Sequence, residues 1–270
     1  YSINSLAVNT NKDLLMKLDE EIGIREVYAA KREVMISEIK KKIPQSASLQ
    51  DRYKMYSQLY KEYLSFQLDS ARIYAEKKLM LGEVLNDGEK IVSSKLNLAE
   101  IYVVSGLYKE SLDMLESTDR QILDRTPRLL SYYYYVYCTI YRYTCKLAIT
   151  EQQKKKYEDL LYLYSDSLVN TKDVGTNSYA FAKANCLILR AQYEDAFDVL
   201  YSQLLVMDPN DTQMSYTFYM MSTICEIQNR KEDEQKYLIL SAICDIKNAK
   251  KEYAAFYRLA YLLYVGGDIL

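Results

Sequence analysis

Leu98–Leu115 reads LAEIYVVSGLYKESLDML, and its spacing of small, aromatic and turn residues recurs along the chain. Two further copies are Lys183–Leu200, KANCLILRAQYEDAFDVL, and Met221–Leu238, MSTICEIQNRKEDEQKYL. A fourth copy begins at Leu259 and is truncated. Each copy has helical spacing of apolar residues on both sides of a central break, which predicts a helix, a turn and a second helix. A recurring helix pair indicates a stacked repeat protein, whose usual role is binding.

Small residues hold equivalent positions in the copies. In the first helix these are Ala99, Ala184, Ser222 and Ala260, and in the second helix they are Ala71, Ser111 and Ala196. Small side chains let two helix backbones approach closely, as in tetratricopeptide hairpins, whose period is about 34 residues. The predicted fold is all-α, a right-handed superhelical stack of tetratricopeptide-like hairpins. The longer middle unit, residues 127–169, predicts an extended inter-helix turn over Ile149–Lys154.

Two parts are expected along the chain. Residues 1–49 would form an N-terminal helical segment that packs on the repeats, with breaks at Gly23 and Pro44. Residues 50–270 would form the repeats, the last of them truncated. Because that last first-helix lacks its partner helix, we expect exposed apolar surface there and self-association through it.

Composition argues against several classes of function. Histidine is absent, which removes the commonest general base and the commonest zinc ligand. Dinucleotide, phosphate-loop, nucleophile-elbow and zinc-protease motifs are missing too, so we expect no enzyme, no cofactor and no metal. A net charge of −2 with mixed charges predicts no direct nucleic-acid binding. The five cysteines are expected to be small apolar core residues.

Tyrosine is abundant, with 29 residues against five phenylalanines and no tryptophan. These tyrosines either fill gaps between repeats or line a surface. The first helix of each tetratricopeptide pair lines the concave surface, and aligning the copies predicts which side chains it carries. They are Phe181, Asn185, Tyr216, Tyr219, Glu226, Tyr257, Tyr261 and Tyr264. An aromatic groove with a few polar groups suits an extended peptide or a glycan.

Three stretches carry a family resemblance. They are Leu15-x-x-Leu18-Asp19-x-x-Ile22-x-x-Arg25-x-x-Tyr28-x-x-x-Arg32, Tyr63-x-x-x-Gln67-Leu68-Asp69-Ser70-Ala71-x-x-Tyr74-Ala75 and Lys236-Tyr237-Leu238-x-Leu240-Ser241-Ala242-Ile243-x-Asp245. The chain resembles the repeat region of Bacteroidetes tetratricopeptide proteins described as transcriptional regulators with an uncharacterised C-terminal domain. It departs from their pattern at Arg32, usually lysine, and at Glu26, near which many members have proline.

The resemblance implies an exported N-terminus, this repeat region, a membrane helix and a cytoplasmic part. The expected function is therefore a non-enzymatic, periplasmic module that docks or senses a protein or peptide for a membrane-tethered regulator. Membrane contact would come only through segments outside this chain. Two alternatives stay open: a glycan- or nutrient-binding repeat protein of an uptake system, and a cytoplasmic protein-assembly scaffold.

Overall fold

The repeat pattern folds into helices. A computed structural model describes residues 10–45, 48–208, 211–251 and 253–266, and in these residues it contains no strand. Fourteen helices lie in that part of the chain: α1 (Asn11–Gly23), α2 (Arg25–Lys42), α3 (Leu49–Leu64), α4 (Leu68–Val84), α5 (Gly88–Val104), α6 (Tyr108–Glu116), α7 (Arg120–Arg125), α8 (Pro127–Leu147), α9 (Glu151–Asn170), α10 (Asn177–Leu189), α11 (Tyr193–Leu204), α12 (Met214–Ile227), α13 (Lys231–Lys247) and α14 (Ala254–Gly266). The predicted all-α helical repeat fold is confirmed.

The turn within each repeat is built on a left-handed backbone residue. In the three full copies of the opening pattern this residue is Gly106, Ala191 and Asn229, with φ of 78°, 57° and 57°. In each case the next N–H donates to a carbonyl in the last turn of the first helix, as Leu107 N does to Tyr102 O at 2.8 Å. This bond satisfies a carbonyl that the helix end leaves without a partner. The shared spacing therefore reflects a shared backbone turn.

The small residues lie where the two helices of a pair meet. Ala99, Ala184 and Ser222 are fully buried, and Ser111 Oγ donates to Ala99 O at 2.8 Å. Ala260 is exposed instead, because no second helix pairs with α14 among the described residues. Gly267, the predicted turn residue of that copy, lies outside them.

Contacts divide the chain into two compact units. One contains the residues up to Val34 and those from Val174 onward, and the other is Met35–Asp173. The first boundary falls inside α2. The domain boundary predicted at residue 49 is based on where the repeat pattern begins, and it stays a prediction.

The unit Met35–Asp173 contains the helix pairs α3/α4, α5/α6 and α8/α9, together with the short α7. The prediction of a long turn over Ile149–Lys154 is wrong: α8 ends at Leu147 and α9 begins at Glu151. The Thr150 side chain accepts a hydrogen bond from Gln153 N and caps α9, so the helix starts early. The repeat over residues 127–169 is longer because its helices α8 and α9 are long, with 21 and 20 residues.

The other unit contains α10/α11, α12/α13 and α14, which share one apolar core with Leu14 and Leu18 of α1. Helix α1 packs against α13. Asn11 Nδ2 donates to Gln235 Oε1 at 2.9 Å, and Lys247 Nζ lies 3.1 Å from Glu21 Oε1. Beyond α1, the Arg32 guanidinium donates to Asn248 O at 2.9 Å, at the C-terminal end of α13.

The predicted helix boundaries near the N-terminus hold. Thr10 caps α1 through a capping box with Asp13. Helix α2 ends two residues before Pro44. The stretch Asp208-Pro209-Asn210 predicts a turn, but residues 209 and 210 lie outside the described residues. In the described residues, no helix is both long and apolar enough to cross a membrane.

Candidate functional site

The eight predicted site residues lie on the first helices α10, α12 and α14, all within one unit. We call this set the first-helix face. Five of its side chains are exposed, namely those of Tyr216, Glu226, Tyr257, Tyr261 and Tyr264, and those of Asn185 and Tyr219 are partly buried. Whether this face binds a ligand stays a prediction.

Phe181 departs from the expectation, because it is only 8% exposed. Its ring packs edge-to-face against Tyr216 with centroids 5.4 Å apart. Asn185 Nδ2 donates to Phe181 O at 2.9 Å and lies 3.4 Å from the Tyr216 hydroxyl. Phe181 therefore supports Tyr216 from below and is not itself available for ligand contact, whereas Tyr216 and Asn185 reach the surface.

Arg258 of α14 contacts several side chains in the second part of the first-helix face. Its Nη2 lies 2.9 Å from Glu226 Oε2 and donates to Glu234 Oε1 at 2.9 Å. The guanidinium also lies over the Tyr219 ring, 5.2 Å from the centroid, and donates to Thr223 Oγ1 at 3.0 Å. Burial disfavours the charge, but Tyr219, Glu234 and Glu226 outweigh it and raise the pKa of Arg258. The cation is thus held rigidly between α12 and α13.

Tyrosine rings form an exposed stripe along α14. Tyr257, Tyr261 and Tyr264 are 79%, 67% and 73% exposed, and their spacing of four and three residues places them on one helix face. Tyr253, just before the helix, is exposed as well. Arg258 is the only charged residue between Ala254 and Tyr264, and it is engaged by Glu226 and Glu234. The stripe itself is uncharged.

The sequence reasoning missed Arg258 and Glu234. Glu234 is a buried acid in the first turn of α13, and its partner follows 24 positions later on another helix. No local spacing rule pairs residues so far apart. The repeat register could have flagged Arg258, because it directly follows Tyr257, which the alignment had already placed on the face.

A second polar cluster lies in the unit Met35–Asp173 and was also missed. Lys78 is 3% exposed, donates to Asn97 Oδ1 and lies over the rings of Tyr53 and Tyr60. Burial, reinforced by the charges of Lys61 and Arg128, lowers its pKa to about 7. A lysine on a helix is normally solvated, so nothing in the sequence indicates this site.

Glu100 continues the same cluster. Its Oε2 accepts hydrogen bonds from the Tyr60 hydroxyl, at 2.6 Å, and from the Tyr132 hydroxyl. Asn97 Nδ2 donates to that same Tyr132 oxygen at 3.0 Å, which links Glu100 to Lys78. Burial raises the pKa of Glu100, and the tyrosine hydroxyls oppose the rise.

Cysteines and acids form no metal-binding cluster in the described residues. Cys138, Cys186 and Cys225 are buried, as predicted, while Cys145 and Cys244 are partly exposed. Burial raises the pKa of the Cys225 thiol to about 11, which keeps it protonated and unreactive at neutral pH.

Comparison with known protein families gives one match over most of the chain. A family model described as SusR N-terminal TPR domain matches residues 22–270. No curated protein matches the chain.

Proposed function

Because this chain belongs to the family of SusR N-terminal TPR domains, we propose that it is the non-enzymatic docking or sensing module of a membrane-tethered transcriptional regulator. Its ligand would be a protein or peptide segment, held on the first-helix face. Tetratricopeptide repeats generally mediate protein interactions, which supports the general role. The membrane anchor and the other parts of such a regulator, which lie outside this chain, are also part of the proposal.

The observation that carries the proposal is the exposure of aromatic rings on successive first helices. Tyr216 on α12 and Tyr257 and Tyr261 on α14 are exposed. A tyrosine that only fills a gap between repeats would be buried. Asn185 and Glu226 add polar groups beside them. Rigid aromatic anchors with a few polar groups are the usual composition of a protein-binding surface.

A pull-down from cell-envelope extract tests the proposal. The bait would be the unaltered chain, a groove variant carrying Tyr216→Ala and Tyr261→Ala, and a control carrying Tyr201→Ala on the second helix α11. Tyr201 is exposed to a similar degree as Tyr216. We expect a protein retained by the unaltered chain and the control but lost with the groove variant. Equal retention by all three baits would refute the proposed face.

The same exposed rings favour one alternative ligand, a glycan, because tyrosine rings also stack on sugar rings. A glycan-binding protein of an uptake system would be stabilised by soluble oligosaccharides through mass action. A rise in Tm with an oligosaccharide, lost in the groove variant, would favour this alternative. No shift across a broad panel would leave the peptide proposal as it stands.

A periplasmic location is part of the proposal, with a cytoplasmic scaffold as its rival. Protease treatment of spheroplasts distinguishes the two. Digestion of the repeat region in intact spheroplasts supports the periplasmic location, and protection until lysis supports the cytoplasmic one.

A further inference from the structure

The turn between α8 and α9 exposes two large apolar side chains. Leu147 is 62% exposed and Ile149 is 92% exposed. An apolar residue just before a helix N-cap often packs on the fourth residue of that helix, but in α9 the fourth residue is Lys154. The turn is nevertheless ordered, because Ile149 N donates to Gln153 Oε1 at 3.3 Å and Thr150 caps α9. We call residues 147–150 the α8/α9 tip.

The α8/α9 tip lies at the end of its unit. Tyr143, one helical turn before the end of α8, stacks on Tyr108, the first residue of α6, with centroids 6.2 Å apart. Because α6 begins directly after the turn of its own hairpin, the two turns lie at the same end. From Tyr143 to Leu147, helix α8 extends about 6 Å further. Val104 and Leu107 at the neighbouring turn are exposed as well, so this end of the unit is apolar.

Basic residues flank the tip on both helices. Positions 142 to 156 contain five basic residues and one acid, Glu151, although the whole chain has a net charge of −2. The basic residues are Arg142, Lys146, Lys154, Lys155 and Lys156. The four lysines are exposed. The next acids, Glu158 and Asp159, lie two turns into α9. The tip is thus an apolar point with a positively charged rim.

The lysine run on α9 differs from the other run of three lysines in the chain. Lys40, Lys41 and Lys42 lie in the last turn of α2, where the helix dipole favours cations. Residues 154–156 lie in the second turn of α9, close to the end at which that dipole disfavours them. The charge of this run therefore does not serve its own helix and is available to a partner outside it.

We propose that the α8/α9 tip docks on a bilayer that contains anionic lipids. Leu147 and Ile149 would enter the interfacial region, and the flanking lysines would contact the headgroup phosphates. Burial of apolar side chains and attraction to anionic lipid add in such a contact. Tyr143, partly exposed one turn from the tip, would lie at the depth where tyrosine is enriched in membrane proteins. Nucleic acid would also attract the lysines, but it would leave the apolar tip without a role.

The inference goes beyond the proposed function and does not depend on the ligand of the first-helix face. It adds a membrane contact within this chain to the contact expected through segments outside it. In a tethered protein, such a docking tip would hold the unit Met35–Asp173 against the membrane surface.

Cosedimentation with vesicles tests the docking. The whole chain would be mixed with vesicles of phosphatidylcholine alone and with vesicles of equal parts phosphatidylcholine and phosphatidylglycerol. We expect binding to the anionic vesicles only, and weaker binding as salt increases, because salt screens the attraction. Lys154→Gln with Lys155→Gln should weaken binding about fivefold for each lysine. Leu147→Ser with Ile149→Ser should weaken it about tenfold or more.

Two matched controls keep the tip intact. Lys54→Gln with Arg125→Gln removes the same charge at exposed residues of the same unit. Met80→Ser with Val84→Ser removes exposed apolar side chains from α4. Both controls should bind the anionic vesicles as the unaltered chain does. Because all these side chains are exposed, the variants should fold, and circular dichroism and Tm check that they do.

A fluorescent reporter locates the contact. The chain contains no tryptophan, so Ile149→Trp introduces a single indole at the tip. We expect its emission to shift to shorter wavelength with anionic vesicles and to be quenched by brominated lipid. Val84→Trp, at the end of α4, should show neither change.

Three results would overturn the inference. The first is the absence of binding to the anionic vesicles, and the second is binding that needs the lysines but persists after Leu147→Ser with Ile149→Ser. The third is tighter binding to duplex DNA than to the vesicles, with no emission shift in Ile149→Trp. None of these results concerns the first-helix face, so the envelope pull-down decides the proposed function separately.

Discussion

The guanidinium of Arg258 lies 5.2 Å from the centroid of the Tyr219 ring. This contact joins the last two first helices of the chain, because Tyr219 belongs to α12 and Arg258 to α14. The same guanidinium neutralises Glu234, which is nearly buried. One side chain thus ties α14 to α12 and α13 and shapes the face proposed to bind a partner.

Arg258→Met should destabilise the unit to which α14 belongs. The change leaves the buried Glu234 without a cation, and removing one partner of a buried pair costs about 3–5 kcal/mol. Because Arg258 is partly exposed, we expect a loss of about 2–4 kcal/mol in the free energy of unfolding, measured with urea.

The control for this loss is Arg120→Met, which breaks an exposed pair with Asp124. Exposed pairs contribute about 0–1 kcal/mol, so the control should change stability little. Similar effects of the two substitutions would contradict the role assigned to Arg258.

Lys78 should make stability depend on pH. Its folded pKa of about 7 lies below the unfolded value of about 10.4, so between these values the unfolded chain binds a proton that the folded chain lacks. Stability should therefore rise as pH increases from about 7, by at most about 1.4 kcal/mol per pH unit. Urea unfolding between about pH 6.5 and about pH 7.5 measures the slope below the ordinary pKa values of cysteine and tyrosine.

Lys78→Met should remove this slope, since methionine has a similar length and no charge. Lys54→Met, an exposed lysine on α3, should leave the slope unchanged. A slope that persists in Lys78→Met would show that another group carries the pH dependence.

Ala191→Gly should stabilise the chain by about 0.5–1 kcal/mol. Ala191 has a φ of 57°, a left-handed conformation that costs an alanine about 1–2 kcal/mol and a glycine little. Part of the gain is lost because glycine is more flexible in the unfolded chain.

The converse change, Gly106→Ala, should destabilise the equivalent turn by a similar amount. A Cβ at Gly106 would meet no atom within 4 Å, so the backbone conformation alone determines the effect. Opposite signs for the two substitutions are expected in urea unfolding, and equal signs would contradict the shared turn.

The repeat architecture can be predicted well from the sequence, because this architecture depends on local features. Ala99, Ala184 and Ser222 recur at one position and are all fully buried. The turn residues Gly106, Ala191 and Asn229 also align, although alanine, unlike glycine and asparagine, has no left-handed preference by its type. The predicted extended turn over Ile149–Lys154 is absent, because spacing alone cannot distinguish a longer loop from longer helices.

The unpredicted features depend on contacts between distant residues. Asn11 and Gln235 bond across 224 positions, and no helical periodicity indicates that α1 packs on α13. Lys78 looks like any surface lysine of an amphipathic helix until α3 and α5 enclose it. Phe181 was placed on the correct helix, but its burial depends on Tyr216 of the next repeat.

Site-specific photo-crosslinking in cells shows whether a protein contacts the first-helix face. A benzoylphenylalanine placed in cells at Tyr257 or at Tyr216 would react with any protein that contacts the first-helix face, and the same probe at Tyr201 serves as the control. We expect a covalent adduct of one size from both face positions and none from Tyr201. Absence of an adduct at both face positions, or equal adducts at all three, would contradict it.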